Sequence, residues 1–212
     1  MSAITDGEAL TYSSFQDIAD SIKTATTRAE ATLLIGIDGA GGSGKSTLAG
    51  RLAETIATST IVHIDDFADW KEAPGWNIDR FITQFVNPLA NGMTANYQRY
   101  DWPSDSLAEW YEISPGGVVI VEGVTPLRPE LREFWHVSIW VECPRNLRLK
   151  RGVERDGESM RSQWEDVWMP EEDVYMRQIH PWEHATFIFD GSGSSDDLRF
   201  TPPFGDREGH SG

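Results

Sequence analysis

The chain has 212 residues, 39% of them hydrophobic and 25% charged, the make-up of one soluble globular domain with room for a sizeable core. Its formal net charge of −16 argues against a nucleic-acid backbone as partner, because such partners call for a basic footprint. No run approaches the roughly 18 apolar residues of a membrane span, so a membrane partner is not expected either.

Asp6 and Glu8 stand where a secretory leader would be basic and then apolar, which makes the cytoplasm the expected compartment. Over 13–30, Phe15, Ile18, Ala19, Ile22 and Ala25 recur at helical spacing and predict an amphipathic helix. Leu33 to Ile37 is a short apolar run suited to a buried strand. The stretch that follows, Gly39-Ala40-Gly41-Gly42-Ser43-Gly44-Lys45-Ser46, fits G-x-x-x-x-G-K-[ST] at every required position. Its glycines let successive backbone N–H groups turn toward phosphate oxygens. Lys45 can then reach the β- and γ-phosphates of ATP, the Ser46 hydroxyl can ligate Mg²⁺, and Thr47 completes the nucleotide-binding stretch. Ser46 to Ile56 has the apolar spacing of a helix, whose positive dipole end would face the same anion. Strand, glycine loop and helix together set the motif apart from a glycine-rich turn.

Thr60 to Ile64 predicts a second strand, ending at Asp65-Asp66. Beside a P-loop, one of these carboxylates is placed to take the proton of an acceptor hydroxyl or to hold a metal-bound water; alone, the pair would pass for a helix cap or turn. Trp70, Trp76, Tyr97, Tyr100, Trp102 and Trp110 enrich the next segment in aromatics, as core, as a hydrophobic flap or as a stacking surface for a planar acceptor. Within it, Asp79 and Asp101 are the polar residues most suited to acceptor hydroxyls. Ile78 to Leu89 reads as a helix that Pro88 helps to close. Val118 to Val121 predicts a third strand, ending at Glu122-Gly123, where the acid can reach the Mg²⁺ shell and the glycine permits close backbone approach. Val137 to Val141 predicts a fourth. Cys143, the sole cysteine, excludes an intrachain disulfide and a cysteine zinc cluster.

Pro144 to Arg155 reads as a helix, with Arg148, Arg151 and Arg155 at i, i+3 and i+7 on one face. A lid over about 145–165 that clamps phosphates is the functional reading, and a solvated face the bland one. Thr186 to Phe189 predicts a short last strand before Asp190, and 191–212 reads as a flexible or strap-like tail after a single domain over 1–190. Strands alternating with helices point to an α/β fold with a mostly parallel sheet, whose ligands sit beyond the strands' carboxyl ends. The P-loop, Asp65-Asp66 and Glu122 all fall at that edge.

These pieces resemble the uridine kinase and phosphoribulokinase family of P-loop kinases over about residues 33–190. His63-Ile64-Asp65-Asp66-Phe67 is similar to the family's Asp-x-Phe segment, which implies Asp65 as the base and puts Asp66 at the substrate. Tyr100-Asp101-Trp102 resembles its Tyr-Asp-Phe acceptor motif, and Val121-Glu122-Gly123 its magnesium-holding Glu-Gly element. Arg148, Arg151 and Arg155 match the spacing of its arginine lid. The resemblance implies a P-loop NTPase fold with a five-stranded parallel sheet, flanking helices and an arginine-bearing lid. It implies ATP and Mg²⁺, catalytic roles for Lys45, Asp65, Arg151 and Arg155, and metal contacts from Ser46, Asp65 and Glu122. Nucleoside-binding members continue the acceptor motif into a His and an Arg, whereas this chain runs Trp102-Pro103-Ser104-Asp105-Ser106.

The expected activity is phosphoryl transfer from ATP to a hydroxyl of a small molecule, with uridine or cytidine as the nominal acceptor. The rival readings are a regulatory P-loop ATPase and a nucleoside monophosphate kinase. Lys71, Arg80 and Arg99 are the only bases between 63 and 111, which disfavours a phosphate-bearing acceptor. The expected partner is the small acceptor, and homo-oligomer formation stays open.

Overall fold

The computed structural model describes residues 11–27, 31–69 and 76–193. Alternation along the first strand sets the architecture. Leu33–Asp38 (β1) is buried at every position, with Leu33, Ile35 and Ile37 on one face and Leu34 on the other. The first face packs on Ile18 and Ile22 of helix Phe15–Thr26 (α1) and on Leu48 and Leu52 of helix Lys45–Thr55 (α2). The Ser14 side chain and Asp17 form a capping box that fixes the start of α1.

Ser59–His63 (β2) leads into a tight turn, Ile64–Phe67. The strand thus ends one residue earlier than its sequence predicts, because Ile64 turns inward as the first residue of that turn and is fully buried. A helix then covers 78–90 (α3), and its middle, Ile82–Val86, is a wide π turn. Pro88 does not close it, contrary to the expectation. The proline follows directly on the π turn, where Asn87 N–H already bonds back to Ile82 O, and the helix continues to Ala90. Phe81, Phe85, Val86 and Leu89 of α3 cover the second sheet face together with Leu34, Val62, Val119 and Val121.

Ala95–Asp101 (β3) and Ser106–Ile113 (β4) form an antiparallel hairpin with a register shift between Gln98 and Tyr100, an element absent from the sequence expectation. Val118–Gly123 (β5), Val137–Glu142 (β6) and Phe187–Asp190 (β7) complete the main sheet. That sheet is five-stranded and wholly parallel, in the order β2-β5-β1-β6-β7. Parallel strands bring their carboxyl ends to one edge, where 39–46, 65–66 and 122 meet. Helix Arg145–Asp156 (α4) follows β6, and a second helix over 161–179 (α5), interrupted by the π turn Trp164–Trp168, returns across the P-loop. The segment expected as a lid therefore comprises α4 and the beginning of a longer helix. Among the described residues no helix is long and apolar enough to cross a membrane. Trp70, Lys71 and the tail from residue 194 onward lie outside the described residues.

Phe81 holds the turn beneath Asp65 to the sheet: it is fully buried, with Phe67 at 4.9 Å and Phe85 at 5.2 Å between ring centroids. Phe81→Ala is expected to lower unfolding free energy by about 3–5 kcal/mol, read by urea denaturation; a loss under about 1 kcal/mol would show that this aromatic cluster does not carry the second core.

Candidate active site

β1 delivers the chain to Gly39, and three glycines then take backbone angles that a side chain rarely allows. Gly42 has φ +74° and Gly44, the residue before α2, φ +104°. A Cβ on Gly42 would lie 2.5 Å from the Arg148 carbonyl, so the loop fits against α4 only as glycine. Ser43 Oγ is buried without a hydrogen-bond partner among the described residues. Lys45, also buried, donates from Nζ to Ala40 O at 3.0 Å, folded back over its own loop. A glycine cradle, an unpartnered hydroxyl and a buried ammonium at a helix start suit polyphosphate.

The loop is anchored from below by Asp38. This carboxylate is fully buried and accepts from the N–H groups of Gly39 (2.6 Å), Thr125 (3.0 Å) and Leu127 (2.8 Å) and from the Tyr175 hydroxyl (2.6 Å). Burial pushes its pKa up, while Tyr175 and the three amides pull the other way.

Glu122, next to last in β5, lies opposite His63, its register partner on β2. Glu122 Oε1 lies 2.5 Å from His63 Nδ1 and accepts from Ser46 Oγ at 3.2 Å. Burial disfavours the Glu122 anion, but the His63 hydrogen bond, Lys45 and Ser46 outweigh it and hold its pKa below the usual range. His63 is raised in turn, chiefly by that same bond. Gly123 has φ +152°, and a Cβ there would fall 2.5 Å from Ile64 Cγ2. The close approach read from the sequence is thus what lets β5 and the Asp65 turn sit side by side.

Asp65 opens to solvent at the mouth of this cleft, with Trp76 Nε1 donating to its Oδ1 at 3.4 Å. The protein crowded around it weakens hydration of the anion and raises its pKa; Lys45 opposes this and Glu122 adds to it. Asp66 points the other way and accepts from the Tyr97 hydroxyl at 3.1 Å. Burial raises its pKa against that bond. Ser46, Asp65 and Glu122 offer hard oxygen donors of the kind Mg²⁺ takes. Among the described residues no group of three or more His, Cys, Asp or Glu could hold a metal by itself. Mg²⁺ at these residues would complete its shell with nucleotide phosphate and water, its usual habit.

The three arginines of α4 share a face but reach different targets. Arg148 is buried, with Nε donating to Cys143 O at 3.2 Å and Nη1 to Glu172 Oε2 at 3.1 Å. Arg151 Nη1 donates to Gly191 O at 2.8 Å and Gly42 O at 3.4 Å, joining the P-loop to the exit of β7. Arg155 pairs with Asp156, stands over the Trp164 ring at 5.7 Å, and has its pKa raised by Asp156 first and by Asp65 and Glu122 further.

The expected acceptor residues are spread along the hairpin and α3. Asp101, at the hairpin tip, accepts from Ser104 Oγ at 2.6 Å and pairs with Arg99. Tyr100 donates to Asp105, and Trp102, about half exposed, packs edge-on against the Tyr100 ring. Asp79 is exposed in the first turn of α3, where its charge complements the helix dipole. The aromatic segment divides: Tyr97 is core, Trp76 touches Asp65, and Trp110 faces solvent. Asp38 and Glu172 carry no expectation from the sequence, and Arg80, counted there only as a base, proves to be a positioning residue. Arg80 donates to Gln98 O, Asp66 O and Ala68 O, tying the hairpin to the Asp65 turn. Glu172 had a signal. It shares the buried stripe of α5 with Met169 and Met176, at i, i+3 and i+7.

The family model described as an AAA domain matches residues 35–180, with the P-loop and both strand-end acids inside the match. The chain belongs to the AAA domain family. The uridine kinase of Latilactobacillus sakei is 26% identical over 175 residues, which cover 75% of this chain and 81% of that one. The uridine kinase of Macrococcus caseolyticus is 28% identical over 174 residues, covering 74% and 82%. Among solved structures, a protein described as a possible uridine kinase from Bacillus stearothermophilus is similar in fold, with TM-score 0.58, 22% identity, and coverage of 82% of this chain and 100% of that one. D-glycerate 3-kinase from Cryptococcus neoformans matches with TM-score 0.52 and 12% identity, covering 81% and 88%. The resemblance to uridine kinase-like P-loop kinases thus holds, and this AAA domain protein has the fold of a P-loop kinase.

Gly123→Ala is expected to cost about 1–3 kcal/mol of stability, through the strained φ and the contact with Ile64. Thermal unfolding checks it: an unchanged midpoint would mean that β5 and the turn do not need that closeness.

Proposed function

We propose that this protein is a kinase that moves a phosphoryl group from ATP to a hydroxyl of a small, non-anionic acceptor. The observation that carries the reading is the junction of three strand ends: Ser46 bonded to Glu122, and Lys45 acting on both Glu122 and Asp65. Its relatives are uridine kinases, which supports a hydroxyl acceptor. ATP with Mg²⁺ supplies an electrophilic phosphoryl group whose negative charge is partly neutralised. Asp65 accepts the proton of the acceptor hydroxyl, its open carboxylate facing the cleft. Lys45 and Arg155 supply positive charge where negative charge builds up in transfer. Glu122 and Ser46 would hold the Mg²⁺ ion.

A nucleoside monophosphate acceptor is less well supported. Arg80 spends its donors on three backbone carbonyls, and Arg99 is committed to Glu109 and Asp101. Acceptor phosphate would have to compete with those bonds. Uridine is also a poor fit, because the His and Arg that nucleoside-binding members carry after the acceptor motif are absent at 103–106.

Asp65→Asn is expected to reduce turnover by about 10²-fold or more while leaving the Kd for ATP within about threefold, since the amide keeps shape but takes no proton. Steady-state rates and ATP titrations on the same preparation test this. A silent Asp65→Asn with a crippled Asp66→Asn would move the base to Asp66.

Across a panel of uridine, cytidine and non-nucleoside alcohols, the pyrimidine nucleosides are expected to show kcat/KM lower than the best alcohol by roughly 10²-fold or more, because buried hydrogen bonds to the base are missing. Uridine as the best substrate of the panel would restore a plain uridine kinase assignment.

A further inference from the structure

The Gly41 N–H belongs to the row of amides that a P-loop turns toward phosphate, and here it donates to a carboxylate of the protein itself, Glu172 Oε1, at 2.8 Å. The other oxygen of that carboxylate accepts from Arg148 Nη1 at 3.1 Å. Both side chains are buried, at 10% and 5% exposure, so the pair is not a solvated surface contact. Lys45, without bonding to Glu172, also favours its anion, alongside the bonded Arg148. Trp164 closes over the same spot: a Cβ on Gly41 would lie 2.8 Å from both the Trp164 ring and Glu172 Oε1. One carboxylate therefore draws on a loop amide, a guanidinium and the P-loop ammonium, the three kinds of donor a nucleotide phosphate uses.

We infer that Glu172 is a phosphate surrogate built into α5: it holds the Gly41 amide and Arg148, and nucleotide must displace it to engage them. The inference rests on the kinase reading for its nucleotide. Phosphate brought to these donors meets the carboxylate as a like charge at close range, and both anions compete for the same Gly41 amide and Arg148 guanidinium. Binding affinity is then reduced by the fraction of molecules in which Glu172 has left its seat. A strut of purely structural value behaves oppositely, since loosening it would disorder the loop and weaken binding.

The test is calorimetric titration of the wild-type protein and Glu172→Gln with ATP and, separately, with inorganic tripolyphosphate, both in Mg²⁺. Glutamine keeps the volume and removes the charge. For a seated population of about 90%, its removal tightens both ligands by about tenfold. Glu172→Asp, one methylene too short to span Gly41 and Arg148, tightens both by a smaller factor. Unchanged or weaker binding in a variant that keeps the wild-type circular dichroism overturns the inference. If Glu172→Gln does not fold, the same criterion is read from Glu172→Asp. Wild-type protein that binds neither ligand overturns the kinase reading, and this inference with it. Tightening in the variants without transfer to any acceptor upholds the surrogate and overturns only the transfer chemistry.

Discussion

A single buried carboxylate, Asp38, holds the active edge of this sheet together. It is taken wholly out of water, a placement that costs several kcal/mol unless every lone pair finds a donor. Four donors come from three separate parts of the chain: the start of the P-loop, the loop after β5, and α5. Thr125 accepts a left-handed φ of +86° to present its amide there. The phosphate loop, the loop that follows Glu122 and the helix that bears Glu172 are thus tied to one point. The P-loop after β1 and the segment after Glu122 are held in register through Asp38, while the Asp65 turn is placed by β2 pairing with β5.

The legible parts of this chain were those with a strong local rule. β1 and β5 are continuous apolar runs because both sheet faces are covered, and 39–46 has a spacing that phosphate binding demands. Ile64 was read as strand because an apolar residue entering a buried turn looks the same in sequence as one ending a buried strand. The hairpin escaped for a physical reason. β4 is largely exposed on both faces, with Leu107, Trp110 and Tyr111 all open to solvent, and the register shift in β3 breaks what alternation there is. α5 escaped because its π turn disturbs the helical period between Trp164 and Trp168. Among the site residues, those at strand ends were readable, while Tyr97, Arg80 and Glu172 act through contacts whose partners lie far away in the chain.

The strongly acidic composition takes on a local meaning in the site. Glu122, Asp65 and Glu172 all feel the charge of Lys45, so the phosphate loop lies in a field set by carboxylates and a few well-placed cations. Arg148, Arg151 and Arg155 illustrate how a uniform sequence pattern becomes three distinct situations. Burial turns the first toward Glu172, the second bridges two loops, and the third stays near the cleft. Spacing alone placed them on one face, and the packing of α5 against α4 separated them.

The bonds of Arg151 have a mechanical consequence. It fastens α4 to Gly42, Gly191 and Ser192 at once, and Gly42 itself is pressed on the Arg148 carbonyl. A helix bolted at that many points cannot swing as a flap without tearing the phosphate loop from the sheet. Gly157, with φ +95°, is the first joint beyond it, and Trp164 on the far side of that joint lies against Gly152 and Gly41. The arginine-bearing helix through residue 156 is therefore built into the frame that carries the P-loop, and Gly157 marks where those ties end.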